Sequence, residues 1–174
     1  MDVVEQFFLI IFKWIECIIM DYRVIDLTLA TEIAIVASGI FLLIGMLTGV
    51  WKYLQIRQSE HARAHYYVDI AHRSALLYAP ASLILAVLAS FSNLSATTLL
   101  WCVIANLLFF FASVFSYVLH GFLQDTHNQF QKPHRLGKTG QLPAFLVSGF
   151  MWALIIAEVG ATTLLVIGTI YYFF

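Results

Sequence analysis

Six histidines, one glutamate deep in an apolar run and a periodic file of polar residues carry the chemistry of this 174-residue chain. His61, His65 and His72 precede or open one apolar segment. His120 and His127 close the next, and His134 lies in the connection that follows. At about 100° per residue, His61, His65 and His72 fall within about 40° of one another, so they form one stripe if a helix starts near Ser59. His120 and His127, seven apart, share a face as well. A second stripe recurs at helical spacing as Asn106, Ser113, Tyr117, His120 and Gln124, with Phe110 between them. Such a stripe does not face lipid, because unsatisfied polar groups there are costly. It faces other helices, a cavity or a cofactor. Glu158 stands near the middle of the last apolar segment, and an ionisable group at that depth is a functional candidate by default. The plainer alternative is a neutral carboxyl hydrogen-bonded within the bundle. Asn106, Tyr117 and Glu158 are therefore the candidate catalytic residues lining a cavity.

Imidazoles grouped in this way support three chemistries. Neutral imidazole binds haem iron axially inside apolar and aromatic walls, for which fifteen phenylalanines and eight tyrosines are ample. His65, His72 and His120 are the candidates for that role. His61-Ala62-Arg63-Ala64-His65 is an H-x-x-x-H pair, which on a helix makes His61 and His65 candidate ligands of a non-haem metal. Membrane di-iron centres use the pair within a larger histidine set than six. The third chemistry is proton transfer with Glu158 as a relay member. A plainer account also holds: histidines collect in the loops because spanning segments exclude polar groups. The chain has no nucleophilic triad, phosphate loop or nucleotide fingerprint.

The elements that position these groups follow from composition. The chain is 61% hydrophobic and 11% charged with mean hydropathy +0.88, against roughly 25% charged in a soluble domain. The expected fold is all-α: an integral membrane four-helix bundle with an N-terminal interfacial amphipathic helix. A spanning helix needs about 20 apolar residues, and four segments qualify, at about 28–50, 70–91, 99–123 and 142–170. Residues 1–27 read differently. Glu5, Lys13 and Glu16 interrupt the apolar run 7–12, and the start lacks the basic residues and cleavage site of a signal peptide. An interfacial helix is expected there, with a docking helix for a neighbouring subunit as the alternative. Cys17 and Cys102 lie in apolar stretches and are expected to be inert thiols. A net charge of -1 gives no reason to expect nucleic acid.

Lys52, Arg57, Arg63 and Arg73 sit between the first two segments, and Lys132, Arg135 and Lys138 between the last two. The intervening connection near 92–98 has no basic residue. The positive-inside rule makes both basic, histidine-rich loops cytoplasmic and both termini outward, with a bacterial inner membrane the expected location. Small residues on the last segment (Gly149, Ala157, Gly160, Ala161 and Gly168) permit close helix approach, so a homo-oligomer is expected. Asp69 and Arg73 have the spacing of a helical ion pair. Asp69 is alternatively a carboxylate holding a histidine tautomer. The run 124–130 is either a cap of the third helix or a polar mouth.

Three short motifs resemble a small four-helix membrane family, that of styrene oxide isomerase and hydroxylaminobenzene mutase. Gly45-Met46-Leu47-Thr48-Gly49 looks like that family's Gly-rich ending of helix one. Ala62-Arg63-Ala64-His65 resembles the segment holding its haem-ligating histidine, and Ala105-Asn106 resembles its Ser/Ala-Asn pair. Length and layout agree from Thr28 onward. The resemblance implies a haem b protein, assembled as a trimer with haem near subunit boundaries. His65 would be the axial ligand, and the iron would act as a Lewis acid that isomerises a small lipophilic substrate. The chain departs from the pattern where the family has Asn-Gly, here Ala71 or His72, and where it has a tyrosine one turn after the asparagine, here Phe110. Tyr117 and His120 stand further along the same helix. An extra histidine at 72 in a second axial position would favour a bis-histidine electron-transfer cytochrome. A non-enzymatic membrane anchor or assembly subunit is the remaining alternative.

Overall fold

The computed structural model describes residues 27–126, 128–137 and 140–174, together with Gln6, Leu9, Phe12 and Lys13, which are helical and exposed. The expected interfacial helix over 1–27 otherwise lies outside the described residues. Four long helices follow: α1 (Leu29–Gln58), α2 (Tyr66–Ser90), α3 (Ala96–Leu123) and α4 (Ala144–Phe173). All four are long and apolar enough to cross a membrane. They pack on one another as an all-α bundle. Between α3 and α4 a short antiparallel pairing, β1 (Arg135–Leu136) with β2 (Gly140–Gln141), ties off the connection.

Local signals start and stop these helices. The Thr28 hydroxyl accepts from the Thr31 N–H at the start of α1, and Glu32 in the first turn complements the helix dipole. The Ser95 hydroxyl caps α3 through the Thr98 N–H at 3.2 Å. At the other end Gln124 takes a left-handed conformation, φ +48°, which satisfies the helix end and turns the chain back. α4 starts directly after Pro143.

α1 continues to Gln58, well past the apolar limit near Val50, because no helix breaker follows when the polarity rises. α2 starts at Tyr66, not near Ser59. Residues 59–65 are non-helical, Ala62 is left-handed at φ +49°, and His65 is the N-cap of α2. The helical stripe of His61, His65 and His72 therefore does not form. His61 sits exposed in a turn, and the H-x-x-x-H pair does not share a helical face.

α1 and α2 pack most closely. Ala30, Ala34 and Ala37 face Ala75, Ala79, Ala86 and Ala89 within the core, and small side chains let the backbones approach. The α1 Gly-rich ending meets His72. The His72 Nδ1–H donates to the Gly45 carbonyl at 2.8 Å, and a Cβ on Gly49 would lie 2.8 Å from the His72 ring. The middle of the bundle is aromatic. Phe41 contacts Tyr78, Phe110 and Phe111, and Tyr78 stacks on Phe110 at 4.2 Å. α4 is the most peripheral helix, with only Ala161, Leu165 and Gly168 fully buried. Of its small-residue stripe, Gly168 packs against Ser92 and Leu94, whereas Gly149 and Gly160 face open space.

Candidate functional site

His120 stands on the last turn of α3, and the left-handed turn at Gln124 brings Asp125 back beneath it. The His120 Nδ1–H donates to Asp125 Oδ1 at 2.8 Å, with the two side chains 6% and 1% exposed. The other carboxylate oxygen accepts the Gly137 N–H at 2.6 Å. Gly137 has φ +69°, a conformation that costs L-residues with a side chain. Burial works to raise the Asp125 pKa, but the His120 ring and the Gly137 N–H outweigh it and hold the carboxyl below its ordinary value. Asp125 is thus an anion that only accepts, so His120 carries its proton on Nδ1. In the neutral ring the lone pair is then on Nε2, the arrangement carboxylates impose on working imidazoles.

His120 lines a cavity of about 310 Å³ bounded by α2, α3, α4 and the 124–142 connection. Tyr78, Ser113, Ser116 and Tyr117 contribute its polar groups. Leu146, Val147, Phe150, Met151 and Leu154 of α4 form an apolar wall. The connection closes one end through Gln129 and Phe130. The Gln129 side chain accepts from the Ser116 hydroxyl at 3.1 Å, its N–H donates to the Tyr67 hydroxyl, and its carbonyl accepts from His134 Nδ1 at 3.1 Å. The Tyr67 ring lies 5.2 Å from His120 and is stacked 6.2 Å from Tyr117. A larger groove of about 520 Å³ between α1 and α3 is lined, apart from Glu32, by apolar side chains. It offers lipid packing and no reactive group beyond that carboxylate.

The remaining sequence candidates separate. Asn106 is 1% exposed. Its Nδ2 donates to the Cys102 carbonyl at 2.9 Å and its Oδ1 accepts from the Thr162 hydroxyl at 3.0 Å, so it joins α3 to α4. This is the interhelical bond that the stripe allowed as one of its explanations. Glu158 lies one turn from Thr162 and one turn from Leu154 on α4. Its Oε1 is buried with no hydrogen-bond partner among the described residues. His65 faces Tyr67, with ring centroids 6.3 Å apart, and its Nδ1 accepts from the Tyr67 N–H at 3.4 Å. Tyr67 thus stands between His65 and His120. His72 lies on the α1 side. Beside it Asp69 pairs with Lys52 at 2.6 Å and with Arg73 at 2.7 Å. The Asp69–Arg73 ion pair is present, while the carboxylate holding a histidine tautomer is Asp125. His127 lies outside the described residues.

Tyr67 and Tyr78 are site residues that the sequence does not single out, whereas Asp125 and Gln129 belong to the 124–130 run expected as a cap or a polar mouth. Asp125 has a further local signal, an acid two residues after a helix end that carries a histidine in its last turn. Among the described residues no three His, Cys, Asp or Glu side chains converge as a metal-binding group. Comparison with protein-family models, with characterised proteins and with solved structures finds no match to this chain.

Proposed function

We propose that the protein is an integral membrane enzyme that binds a small lipophilic molecule in the His120 cavity and isomerises it by moving a proton. One observation carries this reading: a carboxylate-held imidazole on a cavity otherwise walled largely by apolar side chains. His120 Nε2 takes a proton from one atom of the bound molecule, and the Asp125 carboxylate stabilises the resulting imidazolium. The same nitrogen returns the proton to a second atom of the molecule. The reaction balances with no net redox change and no second substrate. Tyr78 and Tyr117 line the same cavity, and in this reading their hydroxyls donate to an oxygen that gains negative charge in between. General acid–base chemistry of this kind accounts for roughly 10²–10⁴ in rate. A volume of about 310 Å³ is at the low end of roughly 300–1,000 Å³ for ligand cavities, which suits a small substrate. The exposed first turns of α4, including Phe145 and Leu146, offer an entry from lipid.

Haem b is the second reading, and one observation favours it. An imidazole whose Nδ1–H is held by a carboxylate offers Nε2 as an axial ligand. His120 would hold the iron, with His72 next, since its Nδ1–H is likewise taken by the Gly45 carbonyl. His65 ranks behind them, because its Nδ1 accepts a hydrogen bond and the neutral ring then carries its proton on Nε2. The nitrogen fits but the room does not: the cavity is smaller than a macrocycle, so no step is assigned to haem. The arrangement of charge in the loops supports cytoplasmic basic loops, and open Gly149 and Gly160 on α4 support a homo-oligomer.

The test is a fluorescence titration of purified protein with 4-phenylphenol, a rod-shaped apolar probe, beside a Val147→Trp variant that fills the cavity. Saturable binding in the wild type and none in the variant supports the site. Equal binding by both contradicts it, and favours an anchor or assembly subunit. A haem absorption band in the purified protein that disappears in His120→Ala would promote the second reading.

A further inference from the structure

Glu158 lies one helical turn beyond Leu154, the last α4 residue lining the His120 cavity. Its Oε1 is the one buried side-chain oxygen without a hydrogen-bond partner among the described residues. A buried polar atom left unpaired costs free energy, so such atoms point to a missing partner. The nearby polar groups do not supply it. Thr162, one turn further on the same face, already donates to Asn106. Tyr78 and Tyr117 are within electrostatic reach of Glu158 without bonding to it, and both line the cavity. The carboxyl therefore stands about one helical turn beyond the lined end of the cavity, on the side away from His120.

Helix geometry sets the separation. Asn106 and His120 are about 21 Å apart along α3 at about 1.5 Å per residue. Glu158 is one turn nearer to His120 than the Thr162–Asn106 contact, which leaves about 15 Å along the axis, less the reach of the two side chains.

We infer that Glu158 Oε1 accepts a hydrogen bond from a hydroxyl on the bound molecule, making the ligand an elongated apolar compound with a hydroxyl at the end remote from His120. This inference rests on the His120 cavity being the binding site. It excludes pure hydrocarbons as preferred ligands, since they would leave the carboxyl oxygen unpaired. It also gives Glu158 a recognition role distinct from the chemistry at His120.

The experiment compares 4-phenylphenol with 4-methylbiphenyl, rods of nearly equal shape that differ by a hydroxyl. Both are titrated into wild type, Glu158→Gln, Glu158→Leu and the cavity-filled Val147→Trp. The wild type is expected to prefer the phenol by about tenfold, the discrimination of one good buried hydrogen bond. Glu158→Gln retains an acceptor and most of that preference. Glu158→Leu loses it while still binding 4-methylbiphenyl, which shows that the variant is folded. A preference undiminished in Glu158→Leu overturns the assignment of Glu158 while leaving the cavity in place. Binding of both rods that Val147→Trp does not abolish overturns the cavity itself, and this inference with it.

Discussion

Replacing Asp125 with alanine removes the acceptor from two donors at once, the His120 Nδ1–H at 2.8 Å and the Gly137 N–H at 2.6 Å. Each hydrogen bond to a charged group is worth about 1.5–3 kcal/mol, and a donor stranded in a buried place costs on that scale. The two share one carboxylate, so their energies do not simply add. A loss of about 3 kcal/mol is expected at neutral pH. For a chain of this length that lowers Tm by roughly 2–4 °C per kcal/mol, or about 6–12 °C. The pH dependence has a definite sign. The folded carboxyl titrates below its ordinary value because His120 and Gly137 outweigh the cost of its burial. Its contribution is complete above the unfolded pKa of about 3.9 and is lost as pH falls through the lower folded pKa. The gap between wild type and Asp125→Ala therefore shrinks as pH falls below about 4. Thermal unfolding in a non-ionic detergent, scanned across pH, measures it. Equal Tm values at pH 7, or a gap undiminished as pH falls below about 4, would refute the reasoning.

Gly137→Ala meets no atom with its new Cβ, so it should cost only the left-handed backbone term of about 1–2 kcal/mol, seen as a modest fall in Tm. Gly49→Ala drives a Cβ into the His72 ring. It should cost about 1–3 kcal/mol by overpacking and weaken the His72–Gly45 bond, with the pair Gly49→Ala/His72→Ala recovering part of the loss. Asn106→Leu strands the Thr162 hydroxyl and should cost about 0.6–1.7 kcal/mol, the range of interhelical bonds in membranes. Gln124→Gly relieves a left-handed side chain at the end of α3 and should raise stability by up to about 1 kcal/mol; a fall would show that the Gln124 side chain matters to the site.

The four helices were legible because hydropathy and length alone decide them, and each observed helix overlaps its expected span. The errors fell where hydropathy and helix part company. α1 runs on through Trp51, Lys52 and Tyr53 to Gln58, since leaving an apolar environment does not end a helix. Spacing alone puts His61 and His65 on one helical face, but the chain turns left-handed at Ala62 and its next helix starts only after His65. The polar file of α3 was legible at 3.6-residue spacing, and it divides into two uses. Asn106 is a satisfied interhelical tie, while Ser113, Tyr117 and His120 line the cavity. What pairs with His120 was not legible. Asp69, the carboxylate offered as holding a histidine tautomer, instead pairs with Arg73 at helical spacing and with Lys52 from α1. Asp125 is brought to the imidazole by the turn at Gln124, and no periodicity describes a turn. Tyr67 and Gln129, 62 positions apart in sequence, meet only through the tertiary packing that lays the 124–142 connection over the cavity.

The ¹⁵N spectrum of the His120 imidazole, recorded at neutral pH with and without 4-phenylphenol, tests the central claim most directly. The account predicts a protonated Nδ1 that stays fixed and an unprotonated Nε2 whose resonance moves when the cavity fills. A proton on Nε2 with a bare Nδ1, or an Nε2 signal indifferent to saturating probe, would contradict it.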